Sequence, residues 1–432
     1  MRVNIVHPGA GELRYEIRSI VDFAHKIEKT GIKITWENIG DPIAKGEQVP
    51  IWIREIVANE VTNNNDSYGY SPTKGLDQAR GYLAKTRTLE TGNQLDPENI
   101  IFFNGLGDAI HEVYTWLSPY ARVMGPSPAY PTHSSIEGAH ARSEHITYRL
   151  NPENDWLPDM KDVRDKVHFD SDVVGLLIIN PDNPTGMIYP KHVLQEFVSI
   201  AKEYDLFLIA DEIYANLTFD KKDFTSIAEV TDGVPTIVMR GLSKEVPWPG
   251  SRCGWVEFYN TGSDPDYGKY IKSIEDAKMN EVCSTTLPQT VLPAILSDKR
   301  YEPHLEKRRQ KYQKRAQTAW DTINKSQFLN VVKPKGAFYL SVNFTDKFLQ
   351  NPIHLRPKNG QAEALLKAEI AKEATMPADK RFCLELLAST GICSVPLSSG
   401  FNSHIQGFRI TLLEEKDDKF LSILNTILNS LE

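Results

Sequence analysis

The 432-residue chain has little with which to cross-link itself: four cysteines, Cys253, Cys283, Cys383 and Cys393, none in a C-x-x-C pair. That spacing signals neither a disulfide framework nor a zinc site, so the thiols read as reduced core or near-surface groups and no metal is expected. Long apolar runs are also missing. No stretch approaches the roughly 18 apolar residues of a membrane span, and the opening "MRVNIVHPGAGELRYEIR" lacks the apolar core of a secretory signal. A soluble, cytoplasmic protein with no membrane partner is the expectation. Nor is there a run of Lys and Arg able to track a phosphate backbone. With a net charge of -8, nucleic acid is not expected as a partner, and an anionic small molecule would need positive charge concentrated at its own site.

What is present is ordered along the chain. From about residue 100 to 258, seven short apolar, β-branched runs alternate with helical patterns: "NIIFFNGL", "ARVMGPS", "HITYRL", "DVVGLLIIN", "LFLIADE", "TIVMRGLS" and "GWVEFY". Strands alternating with helices predict an α/β fold whose mostly parallel sheet is covered on both faces. After residue 268 long helices take over. A highly charged stretch from about Arg300 to Asn324 predicts a helix long enough to bridge two domains. "NVVKPKGAFYLSVNF", "GICSVPLSS" and "GFRITLL" then read as strands of a smaller α+β unit. The expected organisation is an N-terminal segment, 1–50, packed on the small domain; a large domain, 51–300; and a small C-terminal domain, 301–432, with a polar insertion at about 345–385.

Ligands of open α/β sheets bind beyond the carboxyl ends of the strands, and the informative polar residues fall there. "NGLGDA", 104–109, places glycines at a helix start, where free N–H groups favour an anion; a glycine turn between strand and helix is also ordinary. "NPDNPTG", 180–186, is a rigid turn that either only reverses the chain or aims the amide of Asn183 at a ligand. Asp211 follows five apolar residues, where a carboxylate is costly unless it caps a helix or meets a cationic partner; Tyr214 lies three residues on. Lys244 follows another short apolar run, "TIVM", at what reads as the end of a buried strand. A lysine there is either a surface residue or a buried amine with a lowered pKa, suited to nucleophilic chemistry on a carbonyl.

Several of these stretches resemble one family. "SKEVPWPGSRCG" is similar to the lysine signature of class I/II aminotransferases, pyridoxal-phosphate-dependent enzymes of fold type I. "NIGDP" (38–42), "YGYSPTKG" (68–75), "PSPAYP" (126–131), "NPDNPTG", "DEIY" (211–214), "GAFY" (336–339) and "GFRITLL" (407–413) follow in the family's order. The resemblance implies a large domain built on a seven-stranded sheet. It also implies that Lys244 is joined to the cofactor aldehyde and then carries the proton at the substrate Cα, with Asp211 paired to the pyridine nitrogen. Asn183 and Tyr214 are implied on the ring's phenolic oxygen, Tyr130 stacks on the ring, and Leu106, Gly107 and Arg252 hold the phosphate. Tyr70 reaches that phosphate from the neighbouring subunit of a homodimer. Arg409 grips the substrate α-carboxylate, helped by Gly40 and Asn183.

One departure stands out. The hydroxyl residue that such proteins often carry three positions before the lysine is here Gly241, which leaves Ser243 or a water to compensate. "TGICSVPLSSGF" followed by "FRITLLEE" looks like alanine aminotransferases, implying amino transfer from an alanine-like L-amino acid to a 2-oxo acid such as 2-oxoglutarate, in amino-acid biosynthesis and metabolism. A dicarboxylate needs a second cation, for which Arg14, Arg18 and Lys45 are candidates. The same cofactor supports lyases and decarboxylases, and a non-catalytic sensor related to the family would need an added basic domain, whereas "NIGDP" comes after only 37 residues.

Overall fold

All seven apolar runs form strands, and an eighth strand joins them. In the computed structural model, which describes residues 5–13 and 16–432, the large sheet contains β1 (Ile100–Asn104), β2 (Arg122–Ser127), β3 (Thr147–Asn151), β4 (Leu157–Pro158), β5 (Val173–Ile179), β6 (Phe207–Asp211), β7 (Thr236–Gly241) and β8 (Cys253–Tyr259). Their order is β1-β8-β7-β6-β5-β2-β3-β4. β8 runs antiparallel to both neighbours and β4 antiparallel to β3; the other adjacent pairs are parallel. The expected seven strands are therefore eight. Leu157–Pro158 is too short to carry a sequence period, and Pro158, lacking an N–H, is tolerated at the edge of a sheet.

The pleat divides the apolar side chains between two layers. Ile101, Phe103, Leu177, Ile179, Ile209 and Ile237 point to one face; Ile100, Phe102, Leu176, Ile178, Leu208 and Val238 point to the other. Each such fully buried side chain contributes about 1.5–3 kcal/mol relative to exposure. Helix Lys191–Glu203 shows how the sheet is covered: Val193, Leu194, Phe197, Val198, Ile200 and Ala201 recur at helical spacing and are buried.

A second sheet is antiparallel, with β9 (Leu329–Val331), β10 (Tyr339–Phe344), β11 (Val395–Pro396) and β12 (Gly407–Thr411) in the order β9-β10-β12-β11. The 23-residue helix Tyr301–Ile323 leads into it. Near the N-terminus, Thr35–Trp36 pairs in parallel with Ile392–Cys393, which ties the segment before the large sheet to the C-terminal unit. The polar stretch at 345–385 contains helices Asp346–Gln350 and Gly360–Ile370 and most of Ala378–Thr390. The last buries Phe382, Leu384, Leu386 and Leu387, and Asp379 accepts hydrogen bonds from Ser398 N (2.8 Å) and Gly407 N (3.3 Å). That part is a core element, beyond what a polar insertion suggests.

Candidate active site

Parallel strands share a carboxyl edge, so the residues that follow β1, β2, β5, β6 and β7 converge whatever their separation in sequence. A cavity of about 520 Å³ opens there. Gly40, Leu106, Gly107, Tyr130, Asn183, Asp211, Tyr214, Ser243, Lys244, Arg252 and Arg409 all line it. Of the residues that the resemblance assigns to the cofactor and the α-carboxylate, Tyr70 is the exception: it is 86% exposed and lies beside Asn104 and Ser284 in a separate surface depression.

Asp211, the last residue of β6, is buried. Its Oδ2 lies 3.3 Å from His133 Nε2, whose Nδ1 lies 3.2 Å from the Tyr114 hydroxyl, and its Oδ1 accepts from Ile213 N at 3.1 Å. Lys244 sits in a four-residue helical turn, Leu242–Glu245, directly after β7, and its Nζ donates to the Gly40 carbonyl at 2.9 Å. The Tyr214 hydroxyl donates to that of Tyr339 at 3.2 Å; burial, with Tyr339 alongside, pushes the Tyr214 phenol up and keeps it a neutral donor. Tyr339 also explains Gly40, since a Cβ there would lie 1.8 Å from the Tyr339 hydroxyl oxygen.

On the opposite side, Gly105 (φ 83°) turns β1 into helix Leu106–Thr115, leaving the first N–H groups of the helix without intrahelical partners. The Arg252 guanidinium packs over this turn: Nη2 donates to Asn104 O at 3.0 Å, and a Cβ at Gly105 would meet it at 2.5 Å. Arg252 is itself left-handed (φ 48°), a conformation that costs an arginine about 1–2 kcal/mol. Gly241 lies opposite Gly254 in the β7–β8 ladder, and a Cβ there would come within 2.8 Å of the Cys253 carbonyl oxygen. The absent hydroxyl thus has a packing cause.

Arg409, in β12, is 2% exposed. Its Nη1 donates to Asn183 Oδ1 at 3.0 Å and its Nη2 to Asn38 O at 2.5 Å, with the Tyr339 and Phe401 rings 4.3 and 4.8 Å from Cζ. Of the candidate second cations, Arg18 lines the cavity and Arg14 lies outside the described residues. Lys45 does not line it: its ammonium is tied to Glu37 Oε1 (2.7 Å), Trp36 O (2.9 Å) and Glu414 (3.4 Å).

The sequence reading missed His133, Tyr339 and Asn38 as site residues. His133 stands one helical turn after Tyr130, and the other two lie inside "GAFY" and "NIGDP"; only the fold turns them toward the site. A group bearing an aldehyde, a ring nitrogen and a phosphate matches the donors assembled here: an amine, a buried carboxylate held by a histidine, and a helix N-terminus beside a guanidinium.

This architecture is that of the fold type I pyridoxal-phosphate enzymes. The family described as aminotransferase class I and II matches residues 38–421. An uncharacterized aminotransferase of Methanocaldococcus jannaschii is 48% identical over 432 residues, covering 100% of this chain and 99% of that protein. The glutamate-pyruvate aminotransferase AlaA of Escherichia coli K12 is 29% identical over 328 residues, 76% of this chain and 79% of that protein. Among solved structures, an alanine aminotransferase from Pyrococcus furiosus superposes with a TM-score of 0.83 at 25% identity, covering 100% of this chain and 98% of that one. The chain belongs to the class I and II aminotransferases, enzymes that transfer amino groups with pyridoxal 5′-phosphate.

Proposed function

We propose that the enzyme moves the α-amino group of an alanine-type L-amino acid to 2-oxoglutarate. The observation that carries this reading is the Arg409–Asn183–Asn38 arrangement: a fork-shaped cation, fixed in orientation, in the same cavity as a lysine amine and a buried carboxylate. The names of the Escherichia coli and Pyrococcus furiosus relatives support the alanine-type donor.

Bound in this cavity, pyridoxal phosphate supplies an aldehyde that takes up an amine and a ring that spreads negative charge from the substrate Cα. The Lys244 amine takes the proton from Cα and returns it, one group acting in both directions. Asp211, oriented by His133, would hold the proton of the ring nitrogen. Asn183 and Tyr214 would donate to the ring's phenolic oxygen, and Tyr130 would pack against the ring. The N–H groups of Leu106 and Gly107, with Ser243 and Arg252, would hold the phosphate. Arg409 binds the α-carboxylate bidentately beside Gly40, and Arg18, on the cavity wall, is the candidate cation for a second carboxylate. Tyr70, exposed on one protomer, serves the site of its partner in a homodimer. We assign the enzyme to the cytoplasm and to amino-acid metabolism, with the domains divided at about residues 50 and 300.

The test is a half-reaction panel. Purified, cofactor-loaded protein is mixed with single L-amino acids, and the visible absorbance of the bound cofactor is followed. Alanine and glutamate are expected to convert it to the amine form and release their 2-oxo acids. Release of pyruvate and ammonia without that conversion would replace this reading with a lyase.

A further inference from the structure

Among the buried arginines to which the catalytic reading gives no role, Arg308 touches the turn that carries Lys244. Arg308, on helix Tyr301–Ile323, is 5% exposed. Its Nη1 donates to the carbonyls of Lys244 (2.6 Å) and Glu245 (2.9 Å). Its Nε and Nη2 donate to Glu47 Oε2 at 3.1 and 2.9 Å, and Nη2 also donates to the Tyr312 hydroxyl at 3.0 Å. All five N–H donors of the guanidinium are therefore used, in a geometry that a lysine, with three donors on one atom, could not reproduce.

Both ends of this contact lie next to the chemistry. The turn that carries Lys244 is four residues long, too short to satisfy its own carbonyls, so its orientation depends on the strand before it and on Arg308 behind it. Glu47 closes the segment that begins at Asn38 and Gly40. Asn38 O holds Arg409, and Gly40 O holds the Lys244 amine. The Glu47 carboxylate is held in turn by Lys311 Nζ at 3.1 Å and the Tyr312 hydroxyl at 2.5 Å. Burial pushes its pKa up, but Arg308 and Lys311 more than offset this and keep it below the ordinary range, hence charged. A closed ring results: Lys244 side chain, Gly40, residues 40–47, Glu47, Arg308, Lys244 main chain.

We propose that Arg308 and Glu47 form a positioning pair that sets Lys244 against the segment carrying Gly40 and Asn38, so that the proton-transferring amine and the carboxylate-binding arginine are referenced to one piece of backbone. This rests on the function proposed above. A buried ion pair acting only as a structural cross-link would affect stability; a positioning pair must affect the proton-transfer step per loaded site.

The experiment compares wild type with Arg308→Gln, Arg308→Lys, Glu47→Gln and the Arg308→Gln/Glu47→Gln double variant. The rate of the amino-acid half-reaction is expressed per bound cofactor, and hydrogen–deuterium exchange is followed in the cofactor-free proteins. In Arg308→Gln and Glu47→Gln, the saturating rate is expected to fall on the order of tenfold, with half-saturation by amino acid within about twofold, because misplacement of a reacting group costs rate rather than binding. Arg308→Lys should also be slowed, since charge without the fork does not restore the turn. The double variant should be no slower than the worse single variant. Exchange should accelerate at both 40–47 and 242–246. Unchanged rates per site in both single variants would overturn the proposal, as would additive losses accompanied by a proportional rise in half-saturation, or unaltered exchange at 40–47. If one variant fails to fold, the others decide. A wild-type protein that binds the cofactor yet converts no amino acid would instead reject the function on which the proposal rests.

Discussion

Arg409 and Asn183 meet side chain to side chain, Nη1 to Oδ1 at 3.0 Å, although 226 residues separate them, one in β12 of the small sheet and the other in the turn that follows β5 of the large one. With Asn38 O on the other terminal nitrogen and the Tyr339 and Phe401 rings 4.3 and 4.8 Å from Cζ, the guanidinium is held in one orientation. Arg409→Lys keeps the charge and loses the fork. The amino-acid KM is expected to rise roughly 10–100-fold, the equivalent of about 1.5–3 kcal/mol for a hydrogen bond to a charged group. Steady-state kinetics with alanine would show it; an unchanged KM removes Arg409 from carboxylate binding.

Lys244→Ala should retain the fold but show no conversion of bound cofactor by any amino acid. Turnover at the wild-type rate would contradict the assignment of proton transfer to this amine.

Gly105 and Arg252 occupy one volume. Gly105→Ala places a Cβ at positive φ and 2.5 Å from the guanidinium, and Arg252→Ala removes the guanidinium. Each variant should weaken cofactor binding by about 1–3 kcal/mol, and the two together by less than the sum. Equilibrium titration of cofactor-free protein measures this, and wild-type affinity in both variants would place the phosphate elsewhere.

Asp182, beside Asn183, is fully buried; one carboxylate oxygen accepts from Thr185 and the other has no partner. Burial raises its pKa to about 7, against the bonds from Thr185, which lower it. The folded protein therefore holds a proton that the unfolded chain releases near pH 4. Stability from this group is full below that pH and is lost as pH rises through about 7, the whole span corresponding to about 4 kcal/mol. Asp182→Asn keeps the Thr185 contacts and should flatten the decline of Tm between pH 5 and 8. A Tm profile parallel to wild type would show that Asp182 does not titrate there.

Tyr70 lies outside the cavity of its own chain. If it serves the partner's site, mixing inactive Lys244→Ala with impaired Tyr70→Ala protein and allowing subunits to exchange should restore about a quarter of wild-type sites, each in a mixed dimer. No recovery after verified exchange would confine each site to one chain.

The strands were legible because a strand buried on both faces must be apolar along its whole length: "GLLII" and "LFLIA" could hardly be anything else. Motifs at strand ends were legible for a related reason, because Asp211 and Lys244 are expensive where they stand unless something binds them. The two-residue strand β4 carries no period and had to be seen. The candidate second cations show where sequence runs out: Lys45 and Arg18 are equivalent as letters, and only the fold ties the first to Glu37 and Glu414, away from the cavity, and places the second on the cavity wall.

Sequence alone determined the long buried strands and the chemical types at the site, since these follow from local hydrophobic period and from polar residues placed where a strand does not need them; the family was legible through the resemblance of its ordered motifs. The tertiary structure decided partnership. That His133 holds Asp211, that Tyr339 makes Gly40 obligatory, that Gly254 crowds Gly241, and that Arg308 clasps the Lys244 turn to Glu47 all depend on distances between segments distant in the chain, which no local pattern encodes.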